Sequence, residues 1–143
     1  MAGSPKARIL VADDNPHVLI LVSRMLETMG FETVPSQNGF EALKRFEQGD
    51  FDLVLTDLQM PGMNGWELAL QVKSLAPEVP VVALTGQSEM EVMERLTGSG
   101  VDHVLFKPLN MDDLDEIVTH ALASSLVKIR NGELPCYFEA CSG

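Results

Sequence analysis

The feature that most constrains this chain is a regular alternation of two kinds of segment. Short apolar runs recur at Ile9-Leu10-Val11-Ala12, Phe31 to Val34, Leu53-Val54-Leu55, Val79 to Leu84 and Val104-Leu105-Phe106. Runs this short and this rich in β-branched residues suit strands covered on both faces, as in a parallel sheet. Between them lie segments with helical spacing. Asn15-Pro16 opens the first, since proline is tolerated at the first helical position, and Gly30 closes it. Val18, Leu21, Val22, Met25, Leu26 and Met29 form its expected apolar stripe. The next four open with a capping box or a close variant: Asn38 with Glu41, Asn64 with Glu67, Ser88 with Glu91, and Asn110 with Asp113. Gly49 and Gly98 end the second and fourth helices.

Five strand–helix units in strict order predict an α/β fold in which right-handed crossovers place helices on both faces of a parallel sheet. The natural arrangement for five strands is the flavodoxin-like (βα)₅ order 2-1-3-4-5. A chain of 143 residues has room for one such domain. At that length it buries roughly 70% of its unfolded surface, so it needs no disulfide or structural metal.

In a sheet of this kind, function gathers at the carboxyl ends of the strands. The first strand runs into Asp13-Asp14, the third into Asp57, the fourth into Thr85 and the fifth into Lys107. The second runs into the uncharged Pro35-Ser36 and belongs at the sheet edge. The charged ends therefore converge on one crevice. Each residue taken singly has an ordinary reading: Asp13-Asp14 before Asn-Pro also suits a turn, and Asp57 before a Pro-Gly loop also suits a solvated acid. The conjunction is more specific. Two unit charges 4 Å apart repel by ~4 kcal/mol at an effective dielectric of about 20. Three such carboxylates call for a cation, a raised pKa, or both. A hard divalent ion with oxygen ligands meets that need, and Mg²⁺ is the abundant candidate. Lys107 adds a fixed positive charge, and Thr85 adds a hydroxyl. Carboxylate, ion, lysine and hydroxyl together suit a phosphoryl group, with Asp57 as nucleophile.

At these residues the chain resembles the receiver domain of two-component response regulators, the CheY-like family. The likeness is carried by Ile9-Leu10-Val11-Ala12-Asp13-Asp14-Asn15, Thr56-Asp57-Leu58-Gln59-Met60-Pro61-Gly62-Met63-Asn64-Gly65, Ala83-Leu84-Thr85-Gly86 and Phe106-Lys107-Pro108, and it covers about residues 6 to 123. The resemblance implies that Asp57 is the phosphoacceptor, taking its group from a phosphohistidine of a sensor histidine kinase or phosphotransfer protein. It implies that Asp14, Asp57 and the backbone carbonyl of Gln59 hold Mg²⁺, with Asp13 acting through water. It further implies that Thr85 and Lys107 bond the phosphoryl oxygens, that Lys107-Pro108 is cis, and that a downstream protein reads the state. The chain departs from the family at one position. An aromatic residue often stands three places before the lysine, and Val104 stands there instead. The phosphorylation chemistry is expected to survive this change, and signal transmission is expected to run differently.

The remaining features are quieter. Trp66 reads as packing, His17 as a solvent-facing helix residue, His103 and His120 show no partner pattern, and the eight methionines read as core filler. The fifth helix keeps its stripe to Ile129, so residues 124–143 form a helix extension and tail beyond the 6–123 receiver unit. Leu126, Val127 and Ile129 could meet a second subunit in a homodimer. Cys136 and Cys141, five apart with no nearby histidine, read as free thiols in a reduced compartment.

A net charge of −11, from 21 acidic against 10 basic residues, repels phosphate backbones, so no direct nucleic-acid binding is expected. Met1 to Lys6 has no apolar signal core, and no apolar run approaches the ~20 residues of a membrane span, so the cytoplasm is expected. Two other function classes fit the fold less well. A small-molecule phosphatase with an Asp nucleophile commonly places a second acid two residues on, where this chain has Gln59. A flavin module would need Ser, Thr or Gly in its first loop to hold a phosphate, and Asp-Asp-Asn-Pro would repel one.

Overall fold

The computed structural model describes residues 6–131, with side chains described as far as residue 124. Cys136 and Cys141 lie outside the described residues, and so do the side chains of Leu126, Val127 and Ile129. The strands are β1 Arg8–Ala12, β2 Glu32–Ser36, β3 Leu53–Asp57, β4 Val81–Thr85 and β5 His103–Phe106. The helices are α1 Pro16–Thr28, α2 Gly39–Gln48, α3 Gly65–Leu75, α4 Glu89–Leu96 and α5 Met111–Asn131. All four pairings are parallel, and the order is β2-β1-β3-β4-β5, as the alternation predicted.

The central strands are closed in on both faces. Ile9, Val11, Leu53, Leu55, Val82 and Leu84 pack under α1 and α5, while Leu10, Val54, Val81 and Ala83 pack under α2, α3 and α4. Fully burying one such side chain is worth about 1.5–3 kcal/mol, so this double cover is the main stabilising term. Burial on both faces fails only at the edges. Every residue of β5 is half-buried, because only β4 flanks it. β2 carries Pro35 within the strand, and an edge strand tolerates the missing N–H donor.

The apolar stripe of α1 is rotated from the expected one. Leu19, Val22 and Leu26 are buried with Ser23, whereas Leu21 is 53% exposed and faces solvent with Ile20. The methionines are also only partly core filler: Met60 is buried, but Met90 and Met93 are 74% and 55% exposed on α4. Trp66 does pack as expected, buried at the start of α3, and the Arg95 guanidinium of α4 lies 4.9 Å over its ring.

The helix starts follow their caps. Asn64 with Glu67 and Ser88 with Glu91 form complete capping boxes. Asn38 caps the Glu41 N–H, while the Glu41 carboxylate reaches back to the N–H of Gln37 rather than of Asn38. Among the described residues no helix is long and apolar enough to cross a membrane.

Candidate functional site

The carboxyl ends of β1, β3, β4 and β5 meet in one crevice. Asp13, Asp14 and Asp57 each offer a carboxylate oxygen, and these oxygens lie within 4.8 Å of one another. Lys107 closes the other side, its Nζ 3.8 Å from Asp13 Oδ2 and 4.0 Å from Asp57 Oδ2. Asp13 and Asp57 are buried, and Asp14 is exposed at the rim. Thr85 is wholly buried at the end of β4, and its carbonyl accepts the Lys107 N–H at 2.8 Å. The Lys107–Pro108 peptide is cis.

One local device recurs at three strand ends. The Asn15 N–H donates to Asp13 Oδ1 at 2.8 Å, the Gln59 N–H to Asp57 Oδ1 at 3.3 Å, and the Gln87 N–H to Thr85 Oγ1 at 3.0 Å. In each, a side-chain oxygen accepts the N–H two residues on, folding the chain sharply as it leaves the strand. The turn fixes the side chain and spends one lone pair on the protein. The others remain for a ligand, and the Thr85 hydroxyl keeps its own proton to donate. Asn15 then caps α1, accepting from the N–H groups of His17 and Val18.

Gln87 is a member of the site that the sequence did not single out. Its side-chain Oε1 is buried without a hydrogen-bond partner. The only signal for it was positional, because it stands two residues past Thr85 just as Gln59 stands two past Asp57. Gly65 is another member. A Cβ there would overlap the Asp57 carbonyl oxygen, so α3 can start against the nucleophile's backbone only with glycine.

The electrostatics of the cluster are unfavourable as it stands. Burial raises the pKa of Asp57 above its ordinary 3.8, and the charge of Asp14 adds to the rise; Lys107 and the N–H groups of Gln59 and Leu58 act against it. Asp13 is raised for the same first reason, with Asp57 and Asp14 adding repulsion and the Asn15 N–H and Lys107 opposing. Asp13 Oδ2 is buried and has no hydrogen-bond partner, since Lys107 stands beyond hydrogen-bond reach. An orphaned buried carboxylate oxygen within a like-charged cluster is what a hard divalent cation satisfies, so the donor set fits an oxygen-ligated ion.

One expectation elsewhere changed. His103 and His120 do have partners, namely each other: their rings meet edge to face at 5.6 Å between centroids. Burial lowers the pKa of His103, as do His120 and Lys73, while Asp102 raises it. His17 is exposed, as expected.

The family model for the response regulator receiver domain matches residues 9–119. The sensor protein GacS of Pseudomonas syringae is 39% identical over 116 residues, which is 78% of this chain and 13% of that protein. EvgS, a sensor protein of Escherichia coli, is 33% identical over 76% of this chain and 9% of its own length. The chain thus spans only a small part of these relatives. Among solved structures, a CheY-like receiver from Methanospirillum hungatei superimposes with a TM-score of 0.82 at 29% identity, covering 87% of this chain and 99% of that one. TrrA of Thermotoga maritima, a response regulator solved in complex with Mg²⁺-BeF, gives 0.75 at 35% identity over 80% and 98% of the two chains.

Proposed function

The chain belongs to the response regulator receiver family, and from that premise we propose that it is a phosphorylation-dependent switch whose phosphoacceptor is Asp57. The observation that carries this reading is the closeness of Asp13, Asp14 and Asp57, with oxygens within 4.8 Å, beside the Lys107 ammonium 4.0 Å from Asp57. In the proposed step an Asp57 carboxylate oxygen attacks the phosphorus of a phosphohistidine. The P–N bond breaks, and its electron pair leaves with the imidazole nitrogen, which takes up a proton. Lys107 and the Thr85 hydroxyl bond the phosphoryl oxygens, a role for charge-assisted donors fixed before the reaction. Mg²⁺, held by Asp14, Asp57 and the Gln59 carbonyl with Asp13 through water, would neutralise charge on the phosphoryl oxygens. The chain is then a phosphoacceptor that assists its own phosphorylation and dephosphorylation, not an enzyme acting on a separate substrate.

Its partners in this reading are a histidine kinase or phosphotransfer protein and a downstream protein in the cytoplasm, with residues 6–123 as the receiver unit. A relay role, in which Asp57 passes the group to a second histidine, draws support from GacS and EvgS, sensor proteins of which this chain matches a small part. Label transferred from a phosphorylated histidine kinase to wild type, but not to Asp57→Asn, tests the acceptor. Chasing the labelled chain with a phosphotransfer domain tests the relay.

A further inference from the structure

Away from the crevice stand two imidazoles that the proposed phosphoryl transfer does not use. His103 opens β5, and His120 lies in the middle of α5, which covers that strand. Their ring centroids are 5.6 Å apart and their planes are inclined by 78°. Two imidazoles sharing one ion hold it at about 2.0–2.1 Å, which places each ring centroid roughly 3.2 Å from the metal and, at a tetrahedral angle, the two centroids ~5.2 Å apart. The observed 5.6 Å is close to that spacing, and from the edge-to-face arrangement both rings would also have to turn so that one nitrogen of each faces the ion. Each ring is reachable from solvent. His120 lines a groove of about 420 Å³ with Leu105, Asp113, Glu116 and Ile117, and His103 lines a separate, smaller opening of about 80 Å³. Glu116 stands four residues before His120, so it occupies the same face of α5 one turn away. Its carboxylate does not lie within 4.8 Å of both imidazoles, so it would have to turn toward them to act as a third donor.

The neighbouring charges leave the pair available. Asp102, next to His103 in sequence, is already committed: its Oδ2 pairs with Lys73 Nζ at 2.6 Å and accepts the Val81 N–H at 2.8 Å. Lys73 is thereby ion-paired on that side, although its charge still acts on His103. Asp113 and Glu116 make the groove beside His120 acidic, which favours an incoming cation.

We propose that His103 and His120, with Glu116 as a third donor, bind a divalent transition-metal ion of the Zn²⁺ class between β5 and α5. Imidazole donors select such ions, whereas the all-oxygen cluster at Asp13, Asp14 and Asp57 suits a hard ion, so one chain would carry two cation sites of different chemistry. A bound ion would staple the half-buried edge strand to the helix that covers it. It would stabilise the folded chain by mass action.

The test uses the full chain with Cys136→Ser and Cys141→Ser, to remove thiol ligands, in buffer saturated with Mg²⁺ to fill the carboxylate site. Zinc chloride is titrated by calorimetry, with imidazole resonances followed by NMR. The expected result is one ion per chain, both histidines shifting together, and a rise in melting temperature. Because His120 is exposed, His120→Gln keeps the fold, and it is expected to weaken binding by roughly tenfold or more, with a smaller loss for Glu116→Gln. Absence of binding in the parent chain overturns the proposal, as does binding that His120→Gln leaves unchanged. Neither outcome bears on phosphorylation of Asp57.

Discussion

Gly65 sits directly against Asp57: the first residue of α3 packs so closely on the nucleophile's backbone that a Cβ would overlap the Asp57 carbonyl oxygen and crowd Leu58 Cα. The Gly65 N–H also donates to the Leu58 carbonyl at 3.0 Å, pinning the loop between β3 and α3. Both obstacles are backbone atoms and cannot rotate away. Gly65→Ala is therefore predicted to cost about 1–3 kcal/mol by overpacking and to lower phosphoryl uptake with the displaced loop. Denaturant midpoints and acetyl-phosphate labelling of the same variant check both. An unchanged midpoint would mean the loop yields freely.

The raised proton affinities of Asp13 and Asp57 carry a sign. A carboxylate whose folded pKa lies above its unfolded value binds protons more tightly when folded, so its ionisation opposes folding. That cost is present at neutral pH and is relieved as the pH falls through the raised folded value toward 3.8. Asp57→Asn in metal-free buffer is thus predicted to stabilise the chain at pH 7 by about 1 kcal/mol, or roughly 3 °C in a domain of this size. The gain should shrink on acidification. A variant less stable than wild type at pH 7 would show that Lys107 outweighs burial.

The alternation fixed the order of elements because strand and helix periods differ over segments long enough to tell apart, and Asp13, Asp14, Asp57, Thr85 and Lys107 were legible because each stands at the carboxyl end of a strand or within two residues of it. What stayed hidden was either phase or long-range pairing. Val18 to Val22 is apolar throughout, so no period within it could choose Leu19 over Leu21 for the core. The His103–His120 and Arg95–Trp66 contacts join separate elements and leave no local pattern. Met90 and Met93 are exposed because α4 buries Val92 alone.

Magnesium should bind through Asp14 and Asp57 and stabilise the folded chain, since the unfolded chain lacks the site. At ten times the dissociation constant the gain is roughly 1.4 kcal/mol. Melting curves across millimolar Mg²⁺ are predicted to shift for wild type and to stay flat for Asp14→Ala. Identical curves for the two proteins would remove Asp14 from the ligand set.

Val104 makes the output side distinctive. It is half-buried beside Ala83 and carries no ring to swing into space vacated by Thr85. The response to a phosphoryl mimic should instead appear from Thr85 into α4, which is held by Val92 and by the Arg95–Trp66 stack. Hydrogen exchange with beryllofluoride and Mg²⁺ is predicted to change across Thr85 to Met93. A change confined to Asp57 to Asn64 would contradict this route.

The central claim is that Asp57 accepts a phosphoryl group, and intact-mass spectrometry after incubation with acetyl phosphate and Mg²⁺ tests it most directly. The account predicts one added phosphoryl group on wild type, removed by hydroxylamine as an acyl phosphate is. It predicts no addition to Asp57→Asn and strongly reduced addition to Lys107→Ala. Equal labelling of wild type and Asp57→Asn would contradict it.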